Sequence, residues 1–297
     1  MQEKGLRVKG KMGNFLLIGL LIFVLLLSGC SPQAGSQAGV GKPTVKIGYV
    51  NWQEDIAVTY LWQVLLQEKG YDVQLRNLDV APLYVGLSRG DLDLFLDAWL
   101  PVTQRTYWQR YRGKLEDLGV WYEGEAKVGL VVPQYVTINS IADLNKSQAR
   151  FGGKIIGIDP GAGEMKTVEQ AVKGYGLNYQ LIPGSEAAML AALGKAYREK
   201  QWIVVTGWSP HWMFAKYRLK YLADPKISFG QAENLHVLAN KSFARKQPAV
   251  VNLLKNFKLS DRQVGSLESL LNTGMPPRDA AKKWLTDNQA TVKEWLK

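Results

Sequence analysis

The order of apolar segments predicts an α/β protein built as two similar lobes that close on a cleft. Three observations carry that expectation. From Thr44 the chain reads strand, helix, strand, helix, strand, an order that builds a parallel sheet with helices on its faces. From Val128 the same order returns, alike in plan though not in sequence. Three tryptophans, Trp52, Trp99 and Trp208, each sit at the end of an apolar run, where sheets of this class place their ligand clefts.

Residues 1–29 precede this plan. Lys4, Arg7, Lys9 and Lys11 head the run from Phe15 to Leu27, apolar apart from Gly19, and Leu27-Ser28-Gly29-Cys30 closes it with small residues. That is the pattern of a secretory signal peptide, with an apolar part short for a membrane span. Cys30 is the sole cysteine of the chain and falls at the cleavage point of what resembles a lipobox. It is expected to be the mature N-terminus and to carry a lipid. Residues 30–43 are rich in Gly, Ser, Gln and Ala without periodicity, which makes them a flexible tether.

Folding is expected to begin with the strand TVKIGYV at Thr44, followed by a helix over 56–67, a strand over 71–78 and a helix over 81–89. The next strand, 92–96 within DLDLFLDAWLP, reads as short and buried; it alternates acidic and apolar residues and meets Pro101, which has no N–H for a ladder. The second round is a strand at 128–132, helix 140–144, strand 154–159, helix 164–175, strand 179–183, helix 186–200 and strand 202–207. A strand at 235–243 leads to three amphipathic helices from Pro248, with Pro276-Pro277 marking one start. The lobes are therefore expected over 44–130 plus 238–297 and over 131–237, with hinge crossings near Leu130 and Leu238.

Composition narrows the function. An apolar content of 46% supports one large or two medium cores. Without residues 1–29 the chain keeps 33 basic against 25 acidic residues, a charge of +8. No Lys/Arg block, RNA-binding aromatic motif or zinc-finger spacing accompanies it, so the charge reads as a solvated face near an anionic membrane or cell wall and not as a nucleic-acid site. No cysteine besides Cys30 rules out structural disulfides and thiolate metal sites, and His211 and His236 alone make a histidine-rich metal site unexpected. No cofactor is expected.

Trp52, Trp99 and Trp208 at three strand ends suggest an aromatic box. Such a box suits a quaternary ammonium, which donates no hydrogen bond and is held by cation–π attraction. Packing of a domain face is the plain alternative for any one of them, and it is the reading for Trp62, Trp108, Trp121, Trp202, Trp212, Trp284 and Trp295. The turn DPGAGEM, 159–165, opens a helix whose free N–H groups make an anion site. It lacks the lysine of a nucleotide P-loop, so a carboxylate is a fitting guest and an ordinary tight turn the alternative. His211, between Pro210 and Trp212, reads as structural. Glu54, Asp55, Asp93 and Asp97 read as capping or surface acids and not as a glycosidase pair. No nucleophile elbow or zinc-protease helix motif is present.

The segments NWQEDIAVT, DAWLPVTQ, GLVVPQY, IGIDPGAGEM, VVTGWSPHWMFAKYRLKYLADP and AENLH resemble the substrate-binding proteins of glycine betaine/proline betaine ABC importers over 45–297. The resemblance implies a type II periplasmic-binding-protein-like clamshell, with no catalytic residue. It implies a trimethylammonium cage of Trp52, Trp99 and Trp208, and a carboxylate held by the backbone N–H groups of Gly163 and Glu164. Several relatives add a histidine five positions after the second cage tryptophan, where this chain has Gln104. Gln104 is a possible carboxylate donor without charge, and its contribution is expected to stay flat between pH 5 and 8.

The expected function is capture of a betaine osmolyte outside the cell by a lipid-anchored monomer that delivers it to an ABC permease and its ATPase. The alternatives are a choline, carnitine or sulfonium-osmolyte receptor, and, from another class, an exported hydrolase using His211 and a nearby acid.

Overall fold

β1 (Thr44–Tyr49) buries Val45 and Ile47 completely and pairs in parallel with β2 (Asp72–Asn77) and β3 (Leu94–Leu100). Parallel neighbours need crossover connections, supplied here by α1 (Gln53–Glu68) and α2 (Val80–Arg89). The structure is a computed structural model that describes residues 42–297. The expectations for the signal peptide, Cys30 and the tether up to residue 41 lie outside the described residues.

The first sheet has the order β2-β1-β3-β10-β4, with β4 at Leu115–Val120 and β10 at Asn234–Asn240, both running antiparallel to their partners. Between β3 and β4 lies α3 (Arg105–Tyr111). β3 is central and all seven of its residues are buried. That agrees with the buried strand the sequence predicts, with the bounds shifted. Strand pairing begins at Leu94 and continues to Leu100, and Leu96 and Asp97 together face Val237 across a register shift. That bulge breaks the two-residue period and brings Asp97 inside.

The second sheet has the order β7-β6-β8-β5-β9, from β5 (Lys127–Pro133), β6 (Lys154–Ile156), β7 (Gln180–Ile182), β8 (Val205–Ser209) and β9 (Leu219–Tyr221). α4 (Gly163–Tyr175), α5 (Glu186–Arg198) and the short α6 (Met213–Lys216) accompany it, with a 3-10 segment at Ile141–Phe151 in place of the expected helix. The two-sheet α/β class matches the expectation. The crossings fall elsewhere than near Leu130 and Leu238, because β5 lies wholly in the second sheet and β10 wholly in the first. The chain passes between sheets at 121–126 and again at 222–233, and the two passages pair where Glu233 N donates to Ala126 O at 2.8 Å.

After α7 (Lys241–Lys246) the tail forms four helices where three were expected: α8 (Pro248–Lys255), α9 (Asp261–Asn272), α10 (Pro277–Asp287) and α11 (Gln289–Trp295). They return to α1 through an aromatic core. Trp62 meets Phe257 edge-on at 5.3 Å, and Trp284 stacks on Trp295 at 6.0 Å. Residues 42–297 thus close on their own core as one compact unit.

Candidate functional site

Local groups position each of the three tryptophans. Trp52 caps the start of α1 after β1, in a turn that Asp55 holds by accepting Val50 N at 2.7 Å and Thr59 Oγ1 at 3.0 Å. Trp99 lies on β3, two residues from Asp97 and therefore on the same side, and its Nε1 donates to Asp97 Oδ2 at 3.2 Å. Trp208 lies on β8 and meets the edge of the His211 ring at 4.7 Å. Met213 N donates to His211 Nδ1 at 3.0 Å, so the other nitrogen, Nε2, carries the proton and donates to Glu186 Oε1 at 3.0 Å. Both ring nitrogens are occupied, and His211 does not line the cavity.

The three indoles are each 5% exposed or less and line one small cavity. Gln104, Gly163 and Glu164 line it too, together with Thr103, Val128, Ile158, Ala162 and Glu54. The structure therefore brings together every sequence-predicted ligand residue within the described chain. Gln104 is fully buried, accepts from Tyr84 OH at 2.7 Å and donates from Nε2 to Asp97 O at 3.4 Å, which leaves one amide hydrogen for a guest. At the start of α4, Gly163 N and Glu164 N have no acceptor among the described residues. The Glu164 side chain turns back into its own sheet, accepting Gly207 N at 3.0 Å. Burial pushes its carboxyl well above the usual range, against the pull of that N–H.

The cavity is closed from both sides. Across the cleft Trp52 Nε1 donates to Asp159 Oδ2 at 3.3 Å, Gln53 N to Glu186 Oε2 at 3.0 Å and Tyr107 OH to Gly161 O at 2.8 Å. Glu233, in the second crossing, accepts from Val102 N at 2.9 Å and Thr103 N at 2.7 Å, and also from Thr103 Oγ1. Gly163 meets Thr103 so closely that a Cβ at that position would lie 2.0 Å from the Thr103 carbonyl oxygen.

The acids correct the sequence reading. Glu54, Asp55 and Asp97 are buried, not surface groups. Glu54 lines the cavity with Oε2 unpartnered, and Asp97 Oδ1 is buried without a partner as well. Burial pushes Glu54 well above the usual carboxylate range, and the nearby Asp97 and Glu186 add to it while the Trp208 indole N–H opposes. Burial likewise pushes Asp97 up to about 7, and Glu268, behind them on α9, up to about 8. Sequence reasoning missed these acids as site residues, although Glu54 stands two positions after a cage tryptophan. No Lys, Arg or His lines the cavity. Among the described residues no group of three or more His, Cys, Asp or Glu is placed to hold a metal.

An aromatic, cation-free cavity with two free N–H groups at one wall can hold a small molecule that is cationic at one end and accepts hydrogen bonds at the other. The chain is 43% identical over 144 residues to a glycine betaine/carnitine transport binding protein of Listeria monocytogenes, a match spanning 48% of this chain and 48% of that protein. The structure superposes with a TM-score of 0.82 on lactococcal OpuAC in its closed, glycine betaine-bound conformation, at 38% identity, covering 86% of this chain and all of that one. A glycine betaine, L-proline-binding protein of Borrelia burgdorferi gives a TM-score of 0.83 at 33% identity, covering 86% and 97%. Residues 43–287 match the model of the substrate-binding domain of ABC-type glycine betaine transport systems, and the chain belongs to that family.

Proposed function

We propose that this chain is the extracytoplasmic receptor of an ABC importer, that it captures glycine betaine or a close quaternary ammonium osmolyte, and that it does no covalent chemistry. The observation that supports this most directly is the placement of Trp52, Trp99 and Trp208, drawn from both sheets, around one cavity without a cationic side chain. A methylated ammonium sheds its water on entering and gains the indole faces in exchange. A carboxylate at the other end meets the Gly163 and Glu164 N–H groups, aided by the helix dipole, and the Gln104 amide. The sheets act as lobes, hinged at 121–126 and 222–233, and the closed form is the one offered to the permease and its ATPase. The receptor works as a monomer, held at the outer membrane face by a lipid on Cys30. Cys30→Ser is expected to release it into the soluble fraction with ligand affinity unchanged, as fractionation and calorimetry of the same preparation will show.

Isothermal titration with glycine betaine tests the reading: one ligand per chain and no turnover is the expected result. Changing Trp52, Trp99 or Trp208 to Ala removes an indole face worth about 2 kcal/mol or more, roughly thirtyfold in affinity, while Phe at the same positions keeps part of it. Trp62→Ala and Trp284→Ala empty the α1 core instead and cost stability, roughly 3–5 kcal/mol, with the site intact. Cage variants that stay folded and bind normally exclude this site.

One observation favours a second reading. The cavity has a carboxyl, Glu54, but no positive side chain, which suits choline, a cation with a hydroxyl that could donate to Glu54. Gln104→Ala separates the two. It costs betaine on the order of 1 kcal/mol if the amide donates to the carboxylate and leaves choline affinity nearly as it was. A panel of betaine, carnitine, choline and a sulfonium analogue on both proteins reads the difference.

A further inference from the structure

We propose that a basic groove at the pole opposite the ligand cleft seats on anionic phospholipid headgroups. The groove has a volume of about 1230 Å³ and is lined by Arg89, Lys114, Lys241, Arg245 and Lys246, with Asp93 the one acid among its lining residues. Arg89, Lys114, Arg245 and Lys246 are exposed, and none of the five forms an ion pair among the described residues. Unpaired cations gathered in a concavity focus a positive field that surface pairs elsewhere cancel.

The topology decides which way the groove faces. Thr44, the first residue of β1, lines it, so the segment preceding the folded unit arrives at this pole. β10 runs antiparallel to β3 with Ala239 opposite Leu94, which places Asn240 and the start of α7 beside the N-terminal ends of β1 and β3. Trp52 and Trp99 stand at the other ends of those strands, roughly 20 Å away for a strand of that length. The groove and the ligand cavity share no lining residue. A domain resting on this groove keeps its cleft turned away from the membrane, open to ligand.

The setting rests on the reading of Cys30 as an anchor, but the groove itself is tested without one. Residues 42–297 close on their own core and are floated with vesicles of phosphatidylcholine alone or with increasing phosphatidylglycerol. Binding is expected only with the anionic lipid, and it falls steeply with salt. Lys241→Gln, Arg245→Gln and Lys246→Gln together should weaken partitioning on the order of a hundredfold, about fivefold for each cation removed. A control with Lys173→Gln, Lys195→Gln and Lys282→Gln, all exposed and outside the groove, should stay within a few-fold of the unaltered domain, and melting curves check that both variants fold. Equal loss in the two variants means diffuse charge and overturns the proposal. So does binding to phosphatidylcholine alone, or no binding to vesicles while soluble glycerol phosphate perturbs groove resonances. Failure here leaves the betaine titrations untouched, and failure of those leaves the vesicle result standing.

Discussion

Gly163→Ala is expected to lower ligand affinity by on the order of a hundredfold while the unliganded domain melts as before. The added Cβ would lie 2.0 Å from Thr103 O and 2.6 Å from Thr103 C, and both are backbone atoms with no rotamer to give way. Thr103 is itself pinned, since its N–H and hydroxyl, with Val102 N, hold Glu233 in the second crossing. The lobes must therefore stand apart at this point, and the cage wall made by α4 moves with them. An overpacking cost of about 3 kcal/mol corresponds to that hundredfold. The alanine keeps the Gly163 N–H, so the loss reports closure and not a missing donor. Small-angle scattering provides the second readout: the unaltered domain compacts on adding betaine and the variant does not. A variant that compacts and binds normally shows that the lobes close without this contact.

The placement of the three tryptophans at one cavity was legible because each residue carries its own local signal. A strand run, an indole and then a proline or a helix start mark Trp99, Trp208 and Trp52 without knowledge of any partner. The Gly-rich opening of α4 is legible for the same reason. What escaped depends on pairings far apart in the chain. Leu92–Leu96 is legible as a buried strand, but only the insertion of β10 between β3 and β4 accounts for its continuation to Leu100 with Asp97 inside. β4 and β9 are edge strands, β4 partly exposed and β9 only three residues long, so their patterning is faint. Glu54 sits at the second position of a helix, where acids normally complement the dipole in water. Its burial comes from the opposite lobe closing over it, which no local pattern records.

Those acids set a competing expectation against the pH-independent binding drawn from Gln104 alone. Glu54 lines the cavity, its charge acts on that of buried Asp97, and Asp97 holds the Trp99 indole. Asp55, Glu186 and Glu268 lie within their field, with the Trp52, Trp99 and Trp208 N–H groups and neutral His211 as the polar groups around them. With Asp97 raised to about 7 and Glu54 well above its usual range, the empty site holds protons at pH 5.5 that free carboxyls would have lost. A quaternary cation in the cage favours the ionised forms, so binding lowers these pKa values and releases protons. Affinity must then rise with pH across the window between the bound and free values. One proton released gives at most about tenfold per pH unit, and the expected gain from pH 5.5 to pH 8 is about tenfold overall. Folding stability runs the other way. A carboxyl raised in the folded state contributes most below its unfolded value, and that contribution fades as pH climbs from about 4 to about 8. The unliganded domain should therefore melt at a lower temperature at pH 8 than at pH 5.5, while its complex with betaine forms more tightly. Glu54→Gln removes a titrating group without removing the shape, and it should flatten the affinity profile. Calorimetry in two buffers of different ionisation enthalpy counts the protons directly. Zero protons released, with a flat profile in both proteins, would mean that Glu54 and Asp97 keep the same protonation whether or not a cation fills the cage.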